Sequence, residues 1–439
     1  MTPTPVDLLI EARWIIPVEP ADSTLEHHAL AVRDGRIVAI LPIDQTQLRF
    51  AAAETVSLPD HVLIPGLVNL HCHAAMTLLR GLADDLPLMR WLQDAIWPAE
   101  VRHVSHAFVR DGSLLAAAEM LRGGITTCND MYFFPEAAAE AFDRLGLRAV
   151  LGITAIEFPS QYAADADDYL RKGLATFDAW RGHPLIRFAL APHAPYTISD
   201  RTFERIGALA GELELPIHIH LHETAGEIAD SLRDFGQRPI TRLESLDLLG
   251  PNLIAVHAVH LAHEDIERLA LHRCAVAHCP TSNMKLASGA APVARLLAHG
   301  LTVGLGSDGA ASNNRLDLFR EMQQASLLAK LSTGDASALP AHRALRMATL
   351  DGARALGLDH ETGSLLPGKA ADLCAVRIDE PDDLPCFHPV SHLIHVLGRH
   401  AVSDVWVAGQ ARVRYGRLLQ ITNTELLGIA RLWQNKLRQ

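Results

Sequence analysis

Short apolar runs recur along the middle of the chain, and longer amphipathic stretches separate them. Stretches such as 113–122 and 200–214 have helical spacing, whereas the apolar runs have the length of buried strands. The predicted strands are the run that ends at 71–73 and the segments 124–130, 147–153, 186–193, 216–223, 253–257, 274–279 and 301–308. Eight strand–helix units over roughly 290 residues predict a (β/α)8 barrel of the TIM type.

The two ends of the chain have a different pattern, with short strands and tight turns. Segment 34–40 predicts a turn followed by a strand, and segments 370–376 and 402–410 predict strands near the other end. We therefore expect both ends to pair into a small β-sandwich domain, within the α/β fold class. The predicted domains are a β-sandwich and a catalytic barrel, formed respectively by residues 1–65 plus 361–439 and by residues 66–360.

Histidine or acidic residues stand at the carboxyl ends of most predicted strands. In a (β/α)8 barrel these ends meet at one face, where the active site lies. His71 and His73 alternate with Cys72, so in a strand their imidazoles point to the same side. The other residues of this kind are His193, His220 with Glu223, His257 and Asp308. Because packing gives buried strands no reason to end in this way repeatedly, the pattern predicts a divalent metal site.

Imidazoles with one carboxylate suit Zn2+, with Fe2+ and Ni2+ as alternatives. The residues alone predict His71, His73, Asp308 and one histidine of the fifth strand as ligands. By the period of two, that strand places three histidines on one face: His218, His220 and His222. His218 is the deepest of the three, and the choice between the other two needs geometry.

The charge balance of the chain restricts the classes of partner that we expect it to bind. The chain has 39 Lys+Arg against 51 Asp+Glu, a net charge of −12, which argues against a nucleic-acid or anionic-membrane partner. We identify no signal peptide and no apolar run of membrane-spanning length. The six cysteines form no CxxC pair, and we expect Cys72, Cys274 and Cys279 to pack in the core. These features predict a cytoplasmic protein.

Three segments carry a resemblance to a known family: Pro-Gly-Leu-Val-Asn-Leu-His-Cys-His at 65–73, Gly-Ser-Asp-Gly at 306–309, and 363–373. They resemble the first-strand motif, the eighth-strand motif and the return to the β-sandwich in the amidohydrolase superfamily. Within it, the chain is similar to nucleobase and nucleoside deaminases and to s-triazine chlorohydrolases. It is most similar to the 5-methylthioadenosine/S-adenosylhomocysteine deaminase family, and the resemblance covers nearly the whole chain.

The resemblance implies how the metal site is completed. The family's fifth-strand motif is a metal-binding histidine followed three residues later by a glutamate, which matches His220 and Glu223. One divalent metal ion per subunit would then have four protein ligands: His71, His73, His220 and Asp308. Zn2+ is the first choice for this ion, and Fe2+ or Ni2+ are the alternatives.

The implied reaction is hydrolytic deamination at C6 of an adenine ring, which yields the inosine analogue and ammonia. Glu223 would protonate N1, Asp308 would accept the proton of the attacking water, and His257 would orient the nucleophile. Glu223 and Asp308 would therefore also contact the substrate. The implied substrate is a small purine nucleoside: 5′-methylthioadenosine, S-adenosylhomocysteine or both, with adenosine as a further candidate.

The resemblance also implies substrate-binding residues. His193 matches the family's fourth-strand histidine and would hydrogen-bond the purine. Glu100 matches a glutamate that follows a Trp-Pro pair and contacts the nucleoside sugar, while Trp97 either walls the pocket or packs in the core. Neither Arg148 nor Arg187 follows a motif that would place it at the ribose or homocysteine end.

Two other interpretations stay open. The first is another hydrolysis at the same site, either deamination of guanine or 8-oxoguanine or dechlorination of an s-triazine, although Glu100 favours a nucleoside. The second is a metal-free binding or scaffold protein, which would predict gaps in the ligand set, and the sequence shows none. The family resemblance further implies a homo-oligomer.

Overall fold

Two eight-stranded sheets form the framework of the molecule, which a computed structural model describes over residues 3–438. In chain order the strands are β1 Thr4–Ile15, β2 Leu25–Arg33, β3 Arg36–Pro42, β4 Phe50–Pro65, β5 Leu67–Cys72, β6 Ile125–Asp130, β7 Arg148–Ala155, β8 Ile186–Pro192, β9 Ile217–Leu221, β10 Leu253–His257, β11 Ala275–His278, β12 Thr302–Leu305, β13 Leu373–Arg377, β14 Val402–Val407, β15 Gln410–Arg414 and β16 Arg417–Leu418.

Helices connect most of these strands. The α-helices are α1 Ile43–Arg49, α2 Leu88–Trp91, α3 Trp97–His103, α4 His106–Arg122, α5 Pro135–Leu145, α6 Ala166–Ala179, α7 Asp200–Leu213, α8 Ala225–Phe235, α9 Pro239–Ser245, α10 His263–Leu271, α11 Pro280–Lys285, α12 Val293–Ala298, α13 Leu318–Thr333, α14 Ala341–Met347, α15 Leu350–Ala355, α16 Pro389–His395 and α17 Asn423–Leu437. Shorter 3₁₀ or π turns span Ala74–Leu79, Leu92–Ile96, Pro195–Thr197, Pro381–Asp383 and Arg399–Ala401. Within residues 3–438, no helix is long and apolar enough to cross a membrane.

Strands β5 to β12 form a parallel barrel in which each strand pairs with the next one along the chain. Every residue of β6, β7 and β9 is buried, because helices cover one face of the barrel and the opposite strands cover the other. The barrel closes where the backbone N–H of Asp308 donates to the carbonyl oxygen of His71 at 3.0 Å. The predicted (β/α)8 barrel is confirmed.

The second sheet combines strands from both chain ends, as predicted, in the order β16-β15-β14-β13-β4-β1-β2-β3. Strands β1 and β4 pair in parallel, and the other neighbours are antiparallel. A tight turn joins β2 to β3 at Asp34 and Gly35, whose φ angles are 53° and 73°. A Cβ at Gly35 would lie 2.7 Å from the carbonyl oxygen of Ala408, so only glycine fits there. The domain boundaries at residues 65 and 361 stay a prediction.

Buried polar contacts join the barrel to the second sheet. Arg148 of β7 makes a two-pronged ion pair with Asp372, with Nε–Oδ2 and Nη2–Oδ1 distances of 3.0 and 3.3 Å. The same carboxylate accepts the backbone N–H of Ala408 at 2.7 Å. The last helix, α17, packs on α4 of the barrel, where the Trp433 indole donates to Asp111 at 2.8 Å. These contacts fix the second sheet at the amino-terminal end of β7.

Candidate active site

The predicted site residues lie at the carboxyl ends of the barrel strands. His71 lies in β5 with His73 directly after it, His193 follows β8, His220 lies in β9 with Glu223 after it, His257 ends β10, and Asp308 follows β12. All of them except His71 line one pocket, together with Trp97 and Glu100 of α3. His71 is fully buried beneath the pocket. The structure thus brings the whole predicted set into one place.

Two overlapping groups of ligand atoms form the floor of the pocket. Asp308 Oδ1 lies 3.3 Å from Nε2 of both His71 and His73. The ligand atoms of these three residues lie within 4.8 Å of one another, and so do those of His71, His220 and His257. Because His71 belongs to both groups, four imidazoles and one carboxylate converge on the same small volume. This is the donor set that suits zinc.

The hydrogen bonds of the rings fit metal ligation. Nε2 of His71 is buried and has no hydrogen-bond partner among the described residues, and such an atom is destabilising unless a ligand occupies it. Nδ1 of His73 donates to the carbonyl oxygen of Met131 at 2.6 Å, and Nδ1 of His220 to that of His193 at 2.7 Å. Because a carbonyl oxygen only accepts, each Nδ1 carries a proton, and Nε2 is the atom left for a metal ion.

The three histidines of the fifth barrel strand have three different surroundings. Nε2 of His218 lies 3.0 Å from Nδ1 of His71, so His218 supports a ligand from below. His220 faces the pocket. His222 follows the end of β9 with a φ of 55°, and its Nδ1 donates to the carbonyl oxygen of His260 at 3.1 Å. The expectation that all three share one face is wrong for His222, because the left-handed turn ends the alternation of the strand.

Burial sets the charge of most of these imidazoles. It lowers the pKa of His71 to about 3, and it holds the pKa values of His218 and His220 well below the ordinary value. These rings are therefore neutral at pH 7, which is the form that binds metals. Burial acts in the same direction on His73, but the hydrogen bond and the charge of Asp308 raise its pKa to about 9. Metal binding would therefore release a proton from His73.

Hydrogen bonds to both carboxyl oxygens hold Asp308 in place, and its Oδ1 accepts the backbone N–H of Gly309 at 2.7 Å. Its Oδ2 accepts the hydroxyl groups of Ser282 at 2.5 Å and Ser312 at 2.7 Å. Burial alone would raise the pKa of Asp308, but the neighbouring imidazoles of His71 and His73 hold it well below its ordinary value. Asp308 is therefore an ionised carboxylate in a fixed orientation.

Glu223 and His257 face each other, with 3.8 Å between Oε2 and Nε2. Nδ1 of His257 lies 2.8 Å from Oδ1 of Asn283. Because that amide oxygen only accepts, Nδ1 carries the proton and Nε2 is a hydrogen-bond acceptor toward the pocket. Burial raises the pKa of Glu223, which favours the protonated acid. The pair therefore provides a proton donor and an acceptor side by side.

A second glutamate fixes the turn that presents Glu223. The two oxygens of Glu227, in the first turn of α8, accept the backbone N–H groups of His222 and Glu223, each at 2.8 Å. The N–H of Glu227 itself donates to the hydroxyl of Thr224 at 3.2 Å, and this threonine caps α8. The side chain of Glu227 is buried. It joins the end of β9, the left-handed residue and the start of α8 into one unit.

Glu100 and Trp97 form part of the outer pocket. Glu100 accepts the hydroxyl of Tyr132 at 2.7 Å. Burial of its carboxyl raises the pKa of Glu100 to about 7, although the hydrogen bond from Tyr132 acts in the opposite direction. The ring of Trp97 lines the pocket, with its centroid 6.3 Å from that of Phe158. Trp97 has both of its predicted placements, because it lines the pocket and also packs against the hydrophobic core.

Several supporting residues were not identified from the sequence: Tyr132, Glu227, Ser282, Asn283 and Ser312. Two local signals point to some of them. Ser282 and Asn283 follow the end of β11 closely, as the ligands follow other strands. Glu227 stands three residues after Thr224, which is the spacing of a helix-capping pair. Tyr132 also follows a strand end, that of β6, but its role depends on a contact with Glu100 in a different helix.

Comparison with known proteins identifies the family. A sequence model described as the amidohydrolase family matches residues 62–412, which is most of the chain. The chain belongs to the amidohydrolase family. The predicted resemblance is therefore confirmed, and the convergence of histidines and Asp308 lies in the part of this amidohydrolase that the family model covers.

Two proteins that are similar to this amidohydrolase are named as deaminases, and a third is named as a chlorohydrolase. It is 46% identical over 434 residues to a 5-methylthioadenosine/S-adenosylhomocysteine deaminase of Teredinibacter turnerae, covering 99% of this chain and 98% of the relative. The crystal structure of an adenosine deaminase from Xanthomonas campestris with bound zinc has a TM-score of 0.98 at 48% identity, covering 99% of each chain. An atrazine chlorohydrolase from Arthrobacter aurescens with zinc has a TM-score of 0.90 at 24% identity, covering 97% of this chain and 99% of its own. This last likeness shows the common fold alone.

Proposed function

We propose that this amidohydrolase is a metal-dependent hydrolytic deaminase of adenine nucleosides. Its substrates are 5′-methylthioadenosine, S-adenosylhomocysteine or both, with adenosine as a further candidate, and its products are the inosine analogue and ammonia. The observation that carries the proposal is the buried acid Glu223, 3.8 Å from His257 in the pocket that also contains Asp308 and Glu100. The names of the full-length relatives support the same reaction.

One divalent metal ion per subunit fits the floor of the pocket. Zn2+ is the first choice, with Fe2+ and Ni2+ as alternatives, and its proposed ligands are His71, His73, His220 and Asp308. The unpartnered Nε2 of His71 and the imidazole–carboxylate donor set support this assignment. When bound, such an ion supplies Lewis acidity, which lowers the pKa of water to about 7.

The protein side chains divide the proton transfers between them. In the reaction a C6–O bond forms and the C6–N bond breaks. Asp308, as an ionised carboxylate, accepts the proton of the attacking water, while Nε2 of His257 orients that water by accepting a hydrogen bond. Glu223 protonates N1 and so neutralises the charge that the addition places on the ring. Asp308 then passes the proton that it accepted to the amino group, which leaves as ammonia, and the proton of the C6 hydroxyl returns to Glu223 as the C6 carbonyl forms.

Two residues are assigned to binding of the nucleoside. His193 lines the pocket with its Nδ1 3.3 Å from the hydroxyl of Thr197, and we assign its ring to a hydrogen bond with the purine. Glu100 is assigned to the two ribose hydroxyls, since a carboxylate can accept both hydrogen bonds. The hydroxyl of Tyr132 holds the Glu100 carboxyl in place.

The sugar contact predicts a binding defect. Glu100→Ala removes the acceptor of the ribose hydroxyls and should raise KM for adenosine by about 10-fold or more, while the zinc content is unchanged. Tyr132→Phe leaves the carboxylate in place and should raise KM less. Steady-state kinetics of both variants checks this order. An unchanged KM in Glu100→Ala would remove the sugar contact and favour a deaminase of free bases.

Release of ammonia from a panel of compounds tests the function itself. The zinc-loaded protein should deaminate adenosine and 5′-methylthioadenosine, and it should leave adenine, guanine and 8-oxoguanine nearly untouched. Atrazine should release no chloride. Preference for a free base or a chlorotriazine would replace the proposal with that activity. Lack of any hydrolysis by protein that binds no stoichiometric metal would instead favour a binding or scaffold protein.

A further inference from the structure

The outer wall of the pocket is built from two segments that close onto each other. One runs from α2 through α3 and contributes Trp91, Leu92, Trp97 and Val101, and the other follows β7 and contributes Ile156 and Phe158. The side-chain amide of Gln161 donates to the carbonyl oxygen of Val101 at 3.0 Å and joins the two segments. The rings of Trp97 and Phe158 meet edge to face across the same junction. The wall is therefore largely hydrocarbon.

The position of Glu100 relates this wall to the substrate. Glu100 lies in α3, one helical turn after Trp97, so it belongs to the first of the two wall segments. Glu223 and Asp308 instead directly follow the barrel strands β9 and β12. A nucleoside with its base at the barrel end and its ribose on Glu100 therefore presents its 5′ substituent to the hydrocarbon wall.

Away from the histidines and the proposed metal ion, the described lining of the pocket has acidic side chains but no Lys or Arg. Histidines apart, the charged side chains that line it within residues 3–438 are Glu100, Glu223 and Asp308. Of the cations near the wall segments, Arg90 pairs with Asp94 and Lys172 with Asp168, while Arg102 of α3 is exposed and is not part of the pocket lining. A carboxylate at the hydrocarbon wall, away from His73 and the proposed metal ion, would lose water without gaining a cation, which is unfavourable.

From the wall and the charges together, we infer that this pocket selects adenine nucleosides whose 5′ substituent is uncharged. The methylthio group of 5′-methylthioadenosine fits this description. The tail of S-adenosylhomocysteine ends in an ammonium and a carboxylate, and the pocket acids can pair with the ammonium but not with the carboxylate. The inference rests on the proposed function and chooses among its candidate substrates.

A comparison of three nucleosides tests the inference and separates charge from length. They are 5′-methylthioadenosine, S-adenosylhomocysteine and 5′-butylthioadenosine, which has an uncharged tail of similar length to homocysteine. We expect kcat/KM for S-adenosylhomocysteine to be at least about 100-fold below that for 5′-methylthioadenosine. The butylthio compound should lie within about 10-fold of 5′-methylthioadenosine, because it keeps the apolar contacts.

The outcomes separate the inference from the proposed function. Equal kcat/KM for 5′-methylthioadenosine and S-adenosylhomocysteine would overturn the inference and leave the function intact. Equally poor turnover of the butylthio and homocysteine compounds would also overturn it, since length would then be the cause. If none of the adenine nucleosides, adenosine included, releases ammonia, the proposed function itself fails.

A gain-of-function variant gives a second test. Phe158 is partly exposed at the pocket wall, so a longer polar side chain can be placed there. Phe158→Arg should raise the ratio of kcat/KM for S-adenosylhomocysteine over 5′-methylthioadenosine by about 10-fold, as a cation for the tail carboxylate would. Phe158→Gln, which is polar but uncharged, should leave that ratio near the wild-type value. The same ratio in both variants would contradict the role of charge.

Discussion

Among single residues, Glu223 is the one whose proposed role has the most specific chemical requirement. A metal site needs only neutral imidazoles and a carboxylate, whereas addition of water to a purine needs an acid that can protonate N1. Glu223 meets this demand because burial raises its pKa, and this effect outweighs the opposing charges of His257 and His73. The same features make Glu223 the residue whose replacement is most informative.

Replacement of Glu223 should lower turnover without weakening the binding of substrate or zinc. Glu223→Gln keeps the size of the side chain but removes the acidic proton, so kcat for 5′-methylthioadenosine should fall by about 10²-fold or more. KM and zinc content should stay close to those of the wild type. Steady-state kinetics and metal analysis check this, with Glu212→Gln on the exposed face of α7 as the matched control. A nearly normal kcat would show that Glu223 is not the proton donor.

The sequence could predict the ligand positions because they depend on a local rule, the placement of polar residues where buried strands end. It could not predict the orientation of each side chain. His222 has the same spacing as His218 and His220, yet it turns away because its backbone is left-handed. Tyr132 could not be predicted as a partner of Glu100, since that contact brings together residues that are distant along the chain.

Among the elements of the barrel, the turn from β9 to α8 is the part that orients Glu223, the proposed proton donor. The two successive backbone N–H groups of this turn, from His222 and Glu223, donate hydrogen bonds to the two carboxyl oxygens of Glu227. A strand end with a left-handed residue is conformationally unfavourable unless its surroundings fix it. The helix start supplies that constraint, because Thr224 and Glu227 act together as its cap.

Replacement of Glu227 should lower turnover, and the loss should be larger for alanine than for glutamine. Glu227→Ala leaves two buried N–H groups without an acceptor and should lower kcat by about 10-fold, because Glu223 loses its fixed orientation. Glu227→Gln keeps one carbonyl acceptor and should lie between the alanine variant and the wild type. Zinc content and KM should change little. Reduced stability with an unchanged kcat per folded molecule would assign Glu227 to folding alone.

At the scale of the whole molecule, the barrel was predictable from the sequence because strand and helix periods alternate regularly along the chain. The way the two ends meet the barrel was not, since it depends on side chains far apart in sequence. Arg148 is an example, because its position in a strand marks no function, yet it forms a buried ion pair with Asp372 at the junction with the second sheet. Arg187 lies at the amino-terminal end of β8, away from the pocket.

Loss of the buried ion pair between Arg148 and Asp372 should lower the stability of the whole molecule. Arg148→Met leaves the carboxylate of Asp372 buried without its cation and should lower the free energy of unfolding by about 3–5 kcal/mol. Arg181→Met removes the exposed ion pair with Asp178 and should cost less than about 1 kcal/mol. Urea unfolding of both variants measures the difference. Equal losses would show that the junction pair does not hold the sheet to the barrel.

In the proposed reaction, water replaces the amino group at C6 of an adenine nucleoside. The most direct measurement is mass spectrometry of the product after the zinc-loaded protein has acted on 5′-methylthioadenosine in heavy-oxygen water. We predict the intact inosine analogue with one labelled oxygen on the purine ring, together with an equal amount of ammonia. Unlabelled product, free adenine from cleavage of the glycosidic bond, or unchanged substrate would contradict this proposal.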